Sequence, residues 1–249
     1  MIDNKYFILY FFILIKKIRN YKFYFYNKYY IILKMSEKPE NKIHKCPIEG
    51  AKYENEHMKA LSKEMTDEIK KNIKLDKDSI VFDFGAGTGL IGLDFVNEVK
   101  HVIFEDISST MLDYLEYKIK NLNIKNYTIF KGIMEDYKSN EKVDLITAGH
   151  VLHHIEDLQS LFKCFLKIMK PSSYLCITDL KKDAPMFSLH RDPSHHMPHR
   201  GFVPEELSKE LEKAGFIKTE IKPASDIKFT TKEGKEIISE RFMIFAQSP

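Results

Sequence analysis

Apolar positions along the chain recur with two different periods. From Met58 onward, Leu61, Met65, Ile69 and Ile73 fall three or four residues apart, which is the stripe of an amphipathic helix. Ile80 to Phe84 follows as a short, nearly unbroken apolar run and reads as a buried strand. The pattern then predicts a helix over Thr88 to Asn97, a strand over His101 to Glu105, and a helix over Thr110 to Asn121 behind a Ser108/Ser109 cap. Strands are expected at Tyr127 to Phe130, at Val143 to Ala148 and, after Pro171, at Tyr174 to Asp179, with a helix over Leu158 to Met169 between the last two. Strands that alternate with helices build a parallel sheet covered on both faces. The last third differs. Lys181 to Gly201 is a His- and Pro-rich loop, Pro204 opens a helix that Gly215 closes, and Phe216 to Ile221 and Glu236 to Ala246 flank the turn Lys232-Glu233-Gly234-Lys235 as a terminal antiparallel pair.

At 249 residues the chain has room for one α/β domain, and 43% apolar with 30% charged residues excludes fibrous and wholly disordered classes. Three cysteines without a close pair indicate neither a disulfide framework nor a cysteine zinc site, so a reducing, cytoplasmic setting is expected. The net charge of +3 hides a division. Residues 1–34 hold seven bases and one acid, which leaves 32 bases against 35 acids for residues 35–249. That mildly acidic remainder argues against broad binding of nucleic acid. Residues 1–34 are almost wholly Phe, Tyr, Ile, Leu, Lys and Asn, with no Gly, Pro, Ala or Ser. Three readings stand side by side: AT-rich sequence translated ahead of a start at Met35, a membrane-surface anchor, or a targeting signal. Membrane contact is expected only if that extension belongs to the native protein, and residues 35–249 are expected to form a single domain.

The segment Val81-Phe-Asp-Phe-Gly-Ala-Gly-Thr-Gly89 carries the chemistry. A strand that runs into glycines at alternate positions leaves main chain open to a ligand, and Asp106, 23 residues after Asp83, stands where a carboxylate can accept from both hydroxyls of a ribose. This is a nucleotide-type site.

On these residues the sequence resembles the class I S-adenosylmethionine-dependent methyltransferases, in their small-molecule branch. Asp83-Phe-Gly-Ala-Gly-Thr-Gly89 is similar to their first motif, Asp106-Ile-Ser to their ribose-binding strand end, Val143 to Ile155 to their fourth-strand motif, and Leu166 to Leu175 to the turn usually written Leu-Lys-Pro-Gly-Gly. Ser172 and Ser173 replace both glycines of that turn, and Ile133 stands where the family often has Asp. The resemblance implies a Rossmann-like, doubly wound, seven-stranded, mostly parallel α/β sheet with an antiparallel C-terminal strand pair. It implies S-adenosylmethionine as cofactor, held by Asp83, Gly85, Ala86, Gly87, Thr88, Gly89, Asp106 and Ile107, with Met134 and Glu135 bordering the adenine and Gly149 near the sulfonium. The acceptor is expected to be a small molecule, since no Asn-Pro-Pro-Tyr or Pro-Cys motif of DNA-base enzymes is present.

Two other classes keep a place. Gly87-Thr-Gly-Leu-Ile-Gly92 is formally a dinucleotide turn, which would make the chain an NAD-dependent oxidoreductase, and a catalytically silent partner protein could retain the fold. Histidines form a second feature. His150, His153 and His154 would share a helix face if the chain turned helical after the fourth strand, and His190, His195, His196 and His199 crowd the later loop. A polar rim, a catalytic base at His150 or His154, and a metal site are the readings of this cluster. No acidic third ligand stands at a fixed spacing, so no metal is assigned.

Overall fold

The computed structural model describes residues 21–26, 29–34, 51, 54–139, 141–188, 197–230 and 234–249. The chain divides into two compact units, residues 1–44 and 45–249. In the first, β1 (Tyr21–Tyr26) and β2 (Tyr29–Lys34) pair antiparallel as a two-stranded sheet.

The second unit is built on a seven-stranded sheet. Its strands are β3 (Ile80–Phe84), β4 (His101–Asp106), β5 (Tyr127–Lys131), β6 (Val143–Gly149), β7 (Met169–Leu180), β8 (Ile217–Pro223) and β11 (Arg241–Gln247). They lie in the order β5-β4-β3-β6-β7-β11-β8. Strands β3 to β7 are mutually parallel, and β11 runs antiparallel to both β7 and β8. The order reverses between β3 and β6. In sheets of this kind the crevice at such a switch point, outside the carboxyl ends of the strands, receives the ligand.

Alternation along β3 shows why both faces are covered. Ile80, Phe82 and Phe84 join one core with Phe162, Phe165, Leu207 and Leu211, while Val81 joins another with Met65, Ile69, Leu112 and Leu115. Helices α3 (Leu158–Ile168) and α4 (Pro204–Ala214) cover the first face, and α1 (Glu56–Asn72) and α2 (Ser109–Asn121) the second. Each start is marked locally. The side chains of Asn55, Ser108 and Asp157 accept the N–H groups of Met58, Met111 and Ser160, and Pro204 opens α4, which ends on Gly215 at φ 116°.

A third, smaller apolar cluster lies past the carboxyl end of β7. Leu61 of α1, Leu180, Ala184 and Phe187 meet Ile227 of the hairpin β9 (Ile227–Thr230) and β10 (Glu236–Ser239). No helix among the described residues is long and apolar enough to cross a membrane.

Three expectations are corrected. Residues 88–97 form turns around a short 3-10 segment, Gly92–Asp94, rather than a helix. Gly89 and Gly92 both lower helix propensity there, and the Asp83 carboxylate takes the Gly92 N–H out of any helical ladder. The run Glu236 to Ala246 is two strands, since β10 turns back on β9 whereas β11 alone pairs with β8. After β6 the chain makes a 3-10 turn, Leu152–His154, so His150 and His154 do not share a helix face. His190, His195 and His196 lie outside the described residues.

Candidate functional site

The loop after β3 is held from below by acids. Asp83 is buried, and its carboxylate accepts the Gly92 N–H at 2.9 Å and the Thr147 hydroxyl at 2.7 Å, which ties the loop to β6. Glu105 accepts the Gly85 N–H at 3.1 Å, and Asp106 accepts those of Gly87 and Ser108, each at 2.7 Å. The Ala86 N–H donates to the Glu105 carbonyl and the Gly89 N–H to the Ala86 carbonyl, both at 2.7 Å. Gly85 and Gly87 need positive φ, 61° and 54°, but for different surroundings. A Cβ on Gly85 would stand 2.3 Å from a Val151 methyl, whereas one on Gly87 would meet nothing within 4 Å. Gly87 is therefore where main chain faces open space. Beside it, Thr88 Oγ1 is buried with no hydrogen-bond partner among the described residues.

Three carboxylates thus converge on one loop, and among the described residues no cationic side chain bonds them. Burial pushes Asp83 up to about 6, against the bonds from Thr147 and Gly92. Burial also raises Glu105 to about 8, helped by the charges of Asp106, Asp83 and Glu135. Asp106 is raised by burial despite its N–H donors. Each Asp106 oxygen accepts one backbone N–H and keeps a lone pair for a hydroxyl.

This arrangement separates the ligand classes. A pyrophosphate needs bare N–H donors and tolerates no cluster of carboxylates. Here the N–H groups of Gly85, Ala86, Gly87 and Gly89 are spent inside the protein. Ribose hydroxyls and a cationic ligand fit the acids; a dinucleotide does not. Farther along the sheet edge, Ile107 after β4 and Ile133 after β5 are 69% and 52% exposed, apolar surface of the kind that a purine covers. Met134 is buried in the core, and Glu135 is exposed on the same 3-10 turn.

On the other side of the switch point the side chains are basic and paired. Gly149 closes β6 where a Cβ would stand 2.3 Å from Ile91 Cδ1, and His150 follows at φ 54°. His150 Nε2 lies 3.0 Å from Arg241 Nη1. Arg241 itself is buried; it donates to Glu64 of α1 and, at 2.7 Å, to the Ser225 carbonyl. Burial drives His150 down to about 4, and the charge of Arg241 adds to this while Asp179 opposes it. His153 Nδ1 lies 2.8 Å from Oδ1 of fully buried Asp179. Burial works to raise Asp179, but the hydrogen bond and charge of His153 outweigh it and hold this acid below the ordinary value. His154 is exposed and packs tilted against His153, with ring centroids 4.2 Å apart and the planes at 44°. Asp179, Glu64 and Arg241 were not singled out from the sequence. Of these only Asp179 left a trace there, as an acid ending a strand next to the His-bearing turn. No group of three or more His, Cys, Asp or Glu among the described residues is arranged to hold a metal.

Comparison with known proteins agrees with this geometry. The family model described as a methyltransferase domain matches residues 55–221. An uncharacterised methyltransferase of Schizosaccharomyces pombe is 26% identical over 154 residues, covering 57% of this chain and 54% of that protein. The (S)-coclaurine N-methyltransferase of Papaver somniferum is 27% identical over 168 residues, covering 58% and 47%. The chain spans about half the length of these curated relatives. A solved S-adenosylmethionine-dependent methyltransferase of Aquifex aeolicus shares the fold, with a TM-score of 0.59 at 20% identity over 82% of this chain and 99% of that one. A glycine-rich loop followed by an acid at the next strand end, at the switch point of such a sheet, is the mark of a nucleotide-type binding site. The chain belongs to the class I S-adenosylmethionine-dependent methyltransferase family.

Proposed function

We propose that this protein transfers the methyl group of S-adenosylmethionine to a small-molecule acceptor that sits beside the carboxyl ends of β6 and β7. The observation that carries the reading is the acid lining of the loop after β3. Asp106 rather than bare N–H groups stands at its open side, with Glu105 and Asp83 buried beneath, which suits ribose hydroxyls and a cation. In this reading Gly85, Ala86, Gly87, Thr88 and Gly89 form the floor, Asp83 sets it from beneath, and Asp106 holds the ribose. Ile107 borders the adenine together with the turn of Met134 and Glu135, and Gly149 lies on the sulfonium side. The cofactor supplies an already activated methyl group, so the protein's share is alignment, exclusion of water and the handling of one proton. A small acceptor is supported by the relative named for (S)-coclaurine, and a mildly acidic domain disfavours nucleic acid.

Calorimetry with S-adenosylmethionine, S-adenosylhomocysteine and NAD tests the cofactor, with binding of the first two and none of NAD expected. Mass-spectrometric screening of small amines, alcohols and thiols for a gain of one methyl tests the acceptor. Binding of NAD alone would restore the oxidoreductase reading. Tight cofactor binding with no methylated product from any acceptor class would favour a silent partner protein.

A further inference from the structure

Three imidazoles follow β6 within five residues, and their environments differ. His153 is buried. Its ring packs edge-on to Phe187 at 5.4 Å and against His154 at 4.2 Å, and its Nδ1 is bound to Asp179. Asp179 also accepts the backbone N–H groups of His153 and Leu180, at 3.3 and 2.8 Å, so the carboxylate cannot rotate away. Held ionised by these contacts, Asp179 requires a proton on Nδ1, which leaves the lone pair of the neutral ring on Nε2. His150 carries its proton on the same nitrogen but uses its lone pair inside the protein. Its Nε2 faces a guanidinium that can only donate, so the lone pair is used there and the proton sits on Nδ1. The charged or titratable groups that bear on His150 are Arg241 of β11, Asp179 of β7, His153 of its own turn and His57 of α1. Burial outweighs the one acid among them and keeps the ring neutral.

The surroundings also point to a ligand. His57 Nε2 and His199 Nε2 are shielded from solvent and have no hydrogen-bond partner among the described residues. His57 bears electrostatically on His150, and the His199 backbone N–H donates to the His153 carbonyl at 3.3 Å. Two residues that contact this turn thus carry a buried ring nitrogen that a ligand's polar group can satisfy.

We infer that the cluster divides its labour: His153, oriented by Asp179, is the proton acceptor of the reaction, and His150, locked by Arg241, is a fixed neutral hydrogen-bond donor to the methyl acceptor. This rests on the proposed methyl transfer and sharpens its substrate class to acceptors whose attacking oxygen or nitrogen carries a proton. The acceptor's nucleophile bonds to the methyl carbon while the carbon–sulfur bond breaks with its pair left on sulfur. The nucleophile's proton passes to His153 Nε2, and the resulting imidazolium is stabilised by Asp179. His154, one residue on, is exposed and packs at a tilt against the base.

The test uses the full chain with 15N-labelled histidine, saturated with S-adenosylhomocysteine, the tautomers being read by long-range proton–nitrogen correlation and assigned through His153→Gln and His150→Gln. At pH 7 both rings are expected to be neutral with the proton on Nδ1. Asp179→Asn should disturb the His153 tautomer alone. A His153 lone pair on Nδ1, or a doubly protonated His150 at pH 6, overturns the division. In the second arm, release of S-adenosylhomocysteine is followed with a panel of small alcohols and amines. His153→Gln and Asp179→Asn are expected to lower kcat about 10²- to 10⁴-fold while S-adenosylhomocysteine affinity changes less than about twofold. A loss below about threefold in both variants overturns the inference. If the wild-type protein methylates nothing on the panel, the small-molecule reading fails, and the tautomers alone decide the roles of the two rings.

Discussion

The two sides of the switch point solve opposite electrostatic problems. Beside β3 and β4, two buried acids and the half-buried Asp106 are bonded by backbone N–H groups and a hydroxyl, and the buried two sit at about 6 and about 8. Beside β6 and β7, each charged side chain has its counterpart inside the protein: Arg241 with Glu64, Asp179 with His153. Burial on the first side disfavours the charged form of all three acids, a cost that a cation or hydroxyl donors would relieve. The second is internally balanced, which suits a region that must hold an uncharged base and pass one proton. In the proposed reading, binding and chemistry are thus kept on different strands.

The largest expected effect comes from breaking the balanced side. Arg241→Met would strip the donors from Glu64, His150 and the Ser225 carbonyl at once. Removing one partner of a buried couple costs about 3–5 kcal/mol, read as a lower urea midpoint. A loss below about 1 kcal/mol would show that Arg241 does not hold α1, β6 and β11 together.

Next comes pH, where the two sides should pull stability in opposite directions. Glu105 is raised to about 8 in the fold, so its contribution is complete below the ordinary carboxylate range and is lost as pH climbs through about 8; that of Asp83 is lost through about 6. His150 is depressed to about 4, so the unfolded chain takes up its proton first, and stability falls as pH drops from about 6.5 toward 4. Asp179, held below the ordinary value, adds a loss at still lower pH. Thermal melts across pH 4 to 9 should show both declines. Glu105→Gln should remove most of the alkaline one, and His150→Gln most of the loss between pH 6.5 and 4. An alkaline slope unchanged by Glu105→Gln would mean that this carboxyl ionises freely in the fold.

A smaller effect is confined to the acid side. Asp106→Ala should weaken S-adenosylmethionine binding by about 1.5–3 kcal/mol, the range for hydrogen bonds to a charged group, with the fold retained. Should Glu105→Ala show that loss instead, the ribose contact belongs to the neighbouring position, and the acid side is used one residue earlier in the strand than proposed. The smallest effect is expected from deleting residues 1–34. Cofactor affinity and melting temperature should stay where they are; aggregation or lost affinity would show that this segment packs on the domain.

Much of the sheet was legible in the sequence because it rests on local signals. Ile80–Phe84 is an apolar run broken only by Asp83, Ser108 is a cap, and Pro204 with Gly215 brackets a helix. The cofactor loop was legible for the same reason, since glycine spacing and an acid at a strand end are short-range features. Where the reading failed, a distant group had intervened. Residues 88–97 have apolar spacing that permits a helix, yet a carboxylate on β3 captures the Gly92 N–H.

The acceptor side is the clearest division between what the chain alone determined and what only tertiary structure decided. Sequence placed three histidines after one strand and drew attention to His150 and His154 by their spacing. It could not rank them. A histidine's role depends on which nitrogen carries the proton, and that is set by partners far away in the chain: Asp179 for His153, 26 residues on, and Arg241 for His150, 91 residues on. Periodicity reports which face a residue occupies, whereas protonation and tautomer answer to burial and to charges brought together only when β6, β7 and β11 lie side by side.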